Sequence, residues 1–343
     1  AIYGGASVSD AFTLVVRRND LELGRSPPMK FSQTEENRDG CHFYVLTEEA
    51  NGLRIIVSRL GAQLISLARM DEAGHWLGFL YRDDDVSAPS EGWANHATVM
   101  GYYIHRLKNG RSFYRGREIK GGTHGFLRSK TWHLIGSSTE GSGASLKYQI
   151  TPDDFSPIDY PLKVSVDLTY EIDANEVRVL FEFRNHEPEL TAHVSFGLHP
   201  GFAATSLETF HLTMPRGFYR RYCSPDNFLS GQTRDIEFSG GEMPFPRAEL
   251  PGSVILELVN VPRPRFSYVD PPSGRWVTLD LTGVPYVTLW SDGGPFLCFE
   301  PCWGLPDHHE QRPFEQKQGI QTIPASGELR ASFSMTPQLA SFD

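Results

Sequence analysis

The sequence predicts an all-β protein, a large antiparallel β-sandwich with few short helices, on three observations. Apolar residues recur at every second position over long runs: Leu162, Val164, Val166, Leu168, Tyr170 and Ile172, then, past a turn at Asp173 to Asn175, Val177, Val179, Phe181 and Phe183. Side chains along a strand alternate between faces, so this period is that of paired strands with one apolar and one wet face. Asn-Gly pairs separate β-rich runs at Asn51-Gly52 and fall in a turn position at Asn109-Gly110, a strong hairpin signal. No stretch reads as a helix longer than a few turns, and no alternation of strand and helix suggests a parallel sheet.

Taken in order, residues 1–40 read as an N-terminal extension. Phe12 to Val16 is the only apolar cluster there before the polar stretch RSPPMKFSQTEENRDG. The sandwich domain is expected over 41–343. It opens with CHFYVLTEE, turns at Asn51-Gly52 and returns through LRIIVSRLG. AQLISLARM and GHWLGFLYR carry the β character to Arg82, and the polar loop DDDVSAPSEGWANH leads into VMGYYIHRLKNG. Ala144, Leu146, Tyr148 and Ile150 begin the alternating region, and VILELV, RFSYV, WVTLDL, YVTLWS and LRASFSMT complete the strand set.

The whole chain excludes several function classes. Its 343 residues carry 39% hydrophobic and 22% charged side chains, enough apolar material for a sizeable core. A formal net charge of -10 with no long basic run argues against nucleic acid or an anionic membrane as partner. The four cysteines, Cys41, Cys223, Cys298 and Cys302, are too scattered for a disulfide scaffold or a paired zinc motif. No apolar stretch has the length of a membrane span and the first residues do not read as a signal peptide, so the expected location is cytoplasmic. Nothing in the sequence speaks to oligomeric state.

The chemistry concentrates around PFLCFEPCWG, Pro295 to Gly304. Strand parity puts Phe296, Cys298 and Glu300 on one face and Leu297 and Phe299 on the other, and Pro301 is expected to end the strand. A carboxylate at such a rim suits a general base, and equally an ion pair with an arginine. In TAHVSFGLHPGF, the same parity groups His193, Ser195, Gly197 and His199, with His199 at a strand end before Pro200. Two ionisable residues, each followed by proline, are thus placed to face each other, and a histidine beside a glutamate suits acid–base work. His124, bracketed by glycines in KGGTHGF, is available to a ligand or to solvent, and Arg106 in IHRLKNG to a substrate hydroxyl or an ion pair. His308 and His309 in PDHHEQ are adjacent and point apart, which does not suit a metal site, and no phosphate loop or nucleophile elbow is present.

RLKNG, GGTHGF, SFGLHPGF, PYVTLW with FEPCWG, and KQGIQTIPASGE, in that order, resemble the aldose 1-epimerase (galactose mutarotase) superfamily, especially its lactose-operon-associated epimerase-like branch. The resemblance spans about Cys41 to Pro337. It implies a galactose mutarotase-like supersandwich with a sugar cleft, and an isomerase that interconverts the α and β anomers of a hexose without cofactor or metal. It further implies that Glu300 is the general base, His199 the general acid, and that His124 and Arg106 bind the sugar. A non-catalytic carbohydrate-binding protein of this fold and a hexose-phosphate mutarotase are the alternatives, with Arg82, Arg111 or Arg128 as cations for a phosphate. The family's sugar-gripping aspartate has no match; Asp270 and Asp280 lie in the region outside any matching motif. Trp303, Trp290 and Phe202 are candidate stacking partners for the sugar ring.

Overall fold

The computed structural model describes residues 30–340. Among them there is no α-helix, only short 3-10 turns between strands. The strands build two large antiparallel sheets, one of thirteen and one of nine strands, plus the separate hairpin Arg111–Tyr114 with Arg117–Lys120. No helix among the described residues is long and apolar enough to cross a membrane.

Local sequence explains the connections. Cys41–Glu48 pairs with Leu53–Ser58 across the Asn51-Gly52 turn, where Gly52 takes a φ of 65°. Val164–Ile172 and Val177–Asn185 pair across Asp173 to Asn175, and Asp173 caps that turn by accepting the backbone N–H groups of Asn175 and Glu176. The wet face expected for Val164–Ile172 is in fact covered: Ser165, Asp167 and Thr169 are buried. Its polar groups are met by neighbours, Asp167 accepting from Gln149 and pairing with Lys147 at 2.9 Å. This satisfies the requirement that buried polar atoms find partners.

Of the extension expected over 1–40, residues 1–29 lie outside those described. Phe31–Arg38 pairs residue for residue with Cys41–Glu48 and forms the outer strand of the large sheet. The sheet therefore starts at Phe31. Its polar SQTEENR run is the composition of an edge strand, where charge discourages further pairing.

The core lies between the sheets. Val194, Phe196 and Leu198 from Ala192–Ala203, and Leu297, Phe299 and Trp303 from Phe296–Trp303, enter one apolar cluster with Phe181 and Phe183 of the smaller sheet. Phe196 stacks on Trp303 at 5.1 Å between centroids and meets Phe183 at 4.5 Å. The alternate residues of the same two central strands, His199 and Glu300 among them, project from the opposite face of the large sheet.

Candidate active site

The two central strands are antiparallel neighbours, with Gly197 opposite Cys302 and Gly201 opposite Cys298. Continuing that register puts His199 opposite Glu300. The expectation that Pro200 and Pro301 end their strands is not met: Ala192–Ala203 and Phe296–Trp303 both run through them. Proline has no N–H to give a ladder. The named pairs accordingly skip from Gly197–Cys302 to Gly201–Cys298, leaving a gap in the ladder at His199 and Glu300. Each strand has its other neighbour to hold it: His199 pairs with Thr98 and Pro301 with Val287.

His199 Nε2 and Glu300 Oε1 are 3.3 Å apart, with both side chains almost fully buried. Glu300 Oε2 has no hydrogen-bond partner among the described residues. Burial pushes the Glu300 carboxyl well above the usual carboxylate range. It pushes the His199 imidazole down to about 3, helped by the nearby His105. Both shifts disfavour charge, so the resting pair is a carboxylic acid beside a neutral imidazole with one proton between them.

His124 completes one wall. Its backbone is left-handed at φ 65°, and Gly125 follows at φ 74°, where a Cβ would meet the Gly101 carbonyl oxygen at 2.0 Å. Glycine is therefore required at 125 for the loop to lie against Gly101. The His124 ring sits 5.0 Å from that of His199, edge to face. Its Nδ1 accepts the His105 backbone N–H at 3.2 Å, which leaves the proton on Nε2. Burial and the neighbouring His199 hold His124 well below its ordinary value. It is thus a neutral donor.

These residues line a cleft of about 320 Å³ together with Arg106, Arg128, Trp93 and Trp290. Arg106 and Arg128 make no side-chain hydrogen bond or ion pair in the structure among the described residues, and both raise the local potential at His124. Arg106 is held through its backbone: its carbonyl accepts the Asp307 N–H, while the Asp307 carboxylate takes the Lys108 N–H and pairs with buried Lys317. Trp93 stacks on His199 at 5.2 Å and on Phe296 at 5.2 Å, and Trp290 meets Trp93 edge on.

All four of the residues singled out from sequence, Glu300, His199, His124 and Arg106, line this one cleft. Of the stacking candidates, Trp290 lines it, whereas Trp303 and Phe202 belong to the core, as strand parity requires of residues an odd number of positions from Glu300 and His199. Asp270 accepts from Thr205, Thr209 and Ser273, and Asp280 pairs with Arg265; neither lines the cleft, where Glu300 is the only acidic lining residue among the described residues. Arg82 is bound to Asp85 and Ser87 and Arg111 reaches only toward Glu118, so of the suggested cations Arg128 alone faces the cleft. Against the expectation that they point apart, His308 and His309 have rings 4.3 Å apart, because they lie outside any regular strand or helix, but no third ligand is gathered to them among the described residues. Trp93 and His105 were missed in the sequence reading. A lone tryptophan in the polar loop DDDVSAPSEGWANH is the signal for the first; His105 carries none, since its inward aim depends on a left-handed turn at φ 54°.

The family model for aldose 1-epimerase matches residues 43–214. Protein LacX, plasmid, of Lactococcus lactis subsp. lactis is 23% identical over 306 residues, covering 83% of this chain and 96% of LacX. A galactose mutarotase related enzyme from Lactobacillus acidophilus shares the fold with a TM-score of 0.75 at 23% identity, over 87% of this chain and 98% of its own. A galactose mutarotase-like protein from Lactobacillus casei gives 0.71 at 20% identity, over 90% of this chain and 100% of its own. With a family model covering half of its length and a mutarotase-like sandwich throughout the described residues, the chain belongs to the aldose 1-epimerase family.

Proposed function

We propose that this protein is a mutarotase that interconverts the α and β anomers of a hexose by ring opening and closure. The observation that carries the reading is the buried contact of 3.3 Å between His199 and Glu300 on the floor of a sugar-sized cleft. In the tautomer with the proton on His199, the Glu300 carboxylate takes the proton of the anomeric hydroxyl. The bond between the anomeric carbon and the ring oxygen breaks, and the ring oxygen takes the proton of His199. The open aldehyde rotates about its first carbon–carbon bond. Closure then returns a proton from Glu300 to the anomeric oxygen while His199 recovers its own, so the pair ends as it began. His124 donates from Nε2 to a sugar oxygen, Arg106 binds hydroxyls, and Trp93 and Trp290 offer aromatic faces to the apolar side of the ring. Every step is a proton transfer, so the scheme calls on no cofactor.

A phosphorylated hexose is the second reading, favoured by Arg106 and Arg128 lining the cleft without an acidic partner among the described residues. Guanidinium groups in that state suit a phosphate.

The test is the relaxation of freshly dissolved α-glucose and α-galactose by polarimetry, and of glucose 6-phosphate by NMR exchange. Wild type is expected to speed at least one, and Glu300→Gln and His199→Asn each to lose about 10²–10⁴-fold while remaining folded, the range for a positioned acid or base. Binding of a sugar without acceleration would make the cleft a recognition site and end the catalytic reading.

A further inference from the structure

At the floor of the cleft, Glu300 has two neighbours with metal-binding atoms, His105 and Cys302, that the proton transfers leave unused. His105, Glu300 and Cys302 each present one ligand atom, and the nitrogen, oxygen and sulfur lie within 4.8 Å of one another. All three side chains are buried. Glu300 and Cys302 are two apart on one strand and share its face, and His105 comes in from the turn after Ala97–Tyr102. His105 and Glu300 line the cleft, which gives a small ion a path from solvent. Glu300 Oε2 is buried without a hydrogen-bond partner among the described residues, and Cys302 is a free thiol.

The donor set selects the ligand. Sulfur and imidazole exclude calcium and magnesium, which take oxygen ligands. Zinc takes all three types, at about 2.3 Å for sulfur and about 2.0–2.2 Å for nitrogen and oxygen, and tetrahedral bonds of that length hold ligands about 3.3–3.8 Å apart. The 4.8 Å within which the three atoms lie exceeds that spacing by roughly an ångström at the widest. The fourth position then opens to the cleft.

We propose that His105, Glu300 and Cys302 form a site for a thiophilic divalent cation, and that its occupancy switches off the acid–base pair. On binding, the Cys302 thiol gives its proton to solvent and the metal takes the Glu300 oxygen that must otherwise accept a proton from the sugar. The binding claim stands on the geometry alone. The inhibitory claim rests on the role proposed above for Glu300.

The two claims are tested separately on the full chain. Titration with Co²⁺ is expected to produce a near-ultraviolet thiolate-to-cobalt charge-transfer band of one equivalent, lost in Cys302→Ala and Cys302→Ser. In parallel, Zn²⁺ is expected to inhibit wild-type mutarotation reversibly with EDTA. The half-inhibiting concentration should rise at least tenfold in Cys302→Ala, whose metal-free activity matches wild type. A band that survives both Cys302 variants, or that is lost instead in His308→Ala with His309→Ala, overturns the site, as does equal zinc sensitivity of wild type and Cys302→Ala. A Cys302-dependent band in a protein that accelerates no sugar upholds the metal site and removes the mutarotase reading.

Discussion

Glu300 and His199 are buried for opposite charges, and that decides how activity depends on pH. A histidine in water titrates near 6.5, and an exposed pair would show an acid limb there. Here burial lowers His199 to about 3 and raises Glu300. A second proton therefore joins the pair only as pH falls toward 3, and the single proton leaves only above the raised Glu300 value. Between those limits the proton count is fixed at one, whichever partner holds it. The expected outcome is a kcat/KM with no acid-side fall centred near 6.5, measured by polarimetry in matched buffers. A limb centred near 6.5 would mean that His199 titrates as an exposed imidazole and that the pair is solvated during turnover. Arg128 tests the substrate class at the same scale. Losing one charge-assisted hydrogen bond costs about 1.5–3 kcal/mol, so Arg128→Met should lower kcat/KM for glucose 6-phosphate roughly 10- to 100-fold and leave glucose nearly unchanged. An equal effect on both sugars, read by NMR exchange, would count against a phosphate at Arg128.

At the scale of elements, the cleft is held open from behind. The segment carrying Arg106 has no strand of its own; it is tied down by Asp307, whose N–H reaches the Arg106 carbonyl and whose carboxylate holds Lys108 and Lys317. Lys317 and Asp307 are both buried. Removing one partner of a buried pair leaves the other charge unpaired, at a cost of about 3–5 kcal/mol. Lys317→Met is therefore expected to lower the free energy of unfolding by that amount, read from the denaturant midpoint at unchanged slope, and to raise KM through the loosened Arg106 segment. Adding Asp307→Asn should recover a large part of the stability, because the stranded charge is gone. If the double variant is no more stable than Lys317→Met, the pair is not what fixes this segment. None of this was legible in KQGIQTIPASGE or PDHHEQ as separate strings, since Asp307 and Lys317 meet across one irregular connection, interrupted only by the 3-10 turn Phe314–Gln316, whose path no periodicity records. The turn at Asn51-Gly52 was legible, because its geometry is set by adjacent residues. The strand ends at Pro200 and Pro301 were misjudged for the complementary reason. A proline's missing donor breaks a ladder only on one side, and a third strand supplied the other.

For the whole molecule, the large sheet is a wall with chemistry on one side and the core on the other. Strand parity made this much readable from sequence: Glu300 and His199 could be assigned to a shared kind of face before their strands were known to be neighbours. The pairing of those strands, roughly a hundred residues apart in the chain, is a fact of topology that no local pattern contains. The same division lets stability and activity be separated along single strands. Phe196 is three residues before His199, on the core face, stacked on Trp303 and packed against Phe183. Phe196→Ala should cost about 3–5 kcal/mol, the usual range for emptying a buried aromatic site, while Phe196→Leu costs less and leaves the variant folded for assay. Well below its unfolding transition, Phe196→Leu is expected to keep mutarotation within a few-fold of wild type. Glu300→Gln is expected to do the reverse, holding the denaturant midpoint, because burial already keeps the resting carboxyl neutral and an amide of the same shape adds no buried charge, and losing turnover. Denaturant unfolding and polarimetry on the two variants therefore form one crossed measurement. If Phe196→Leu lost turnover as Glu300→Gln does while fully folded, the two faces would be mechanically coupled and the sheet would be a moving part of the reaction rather than its wall.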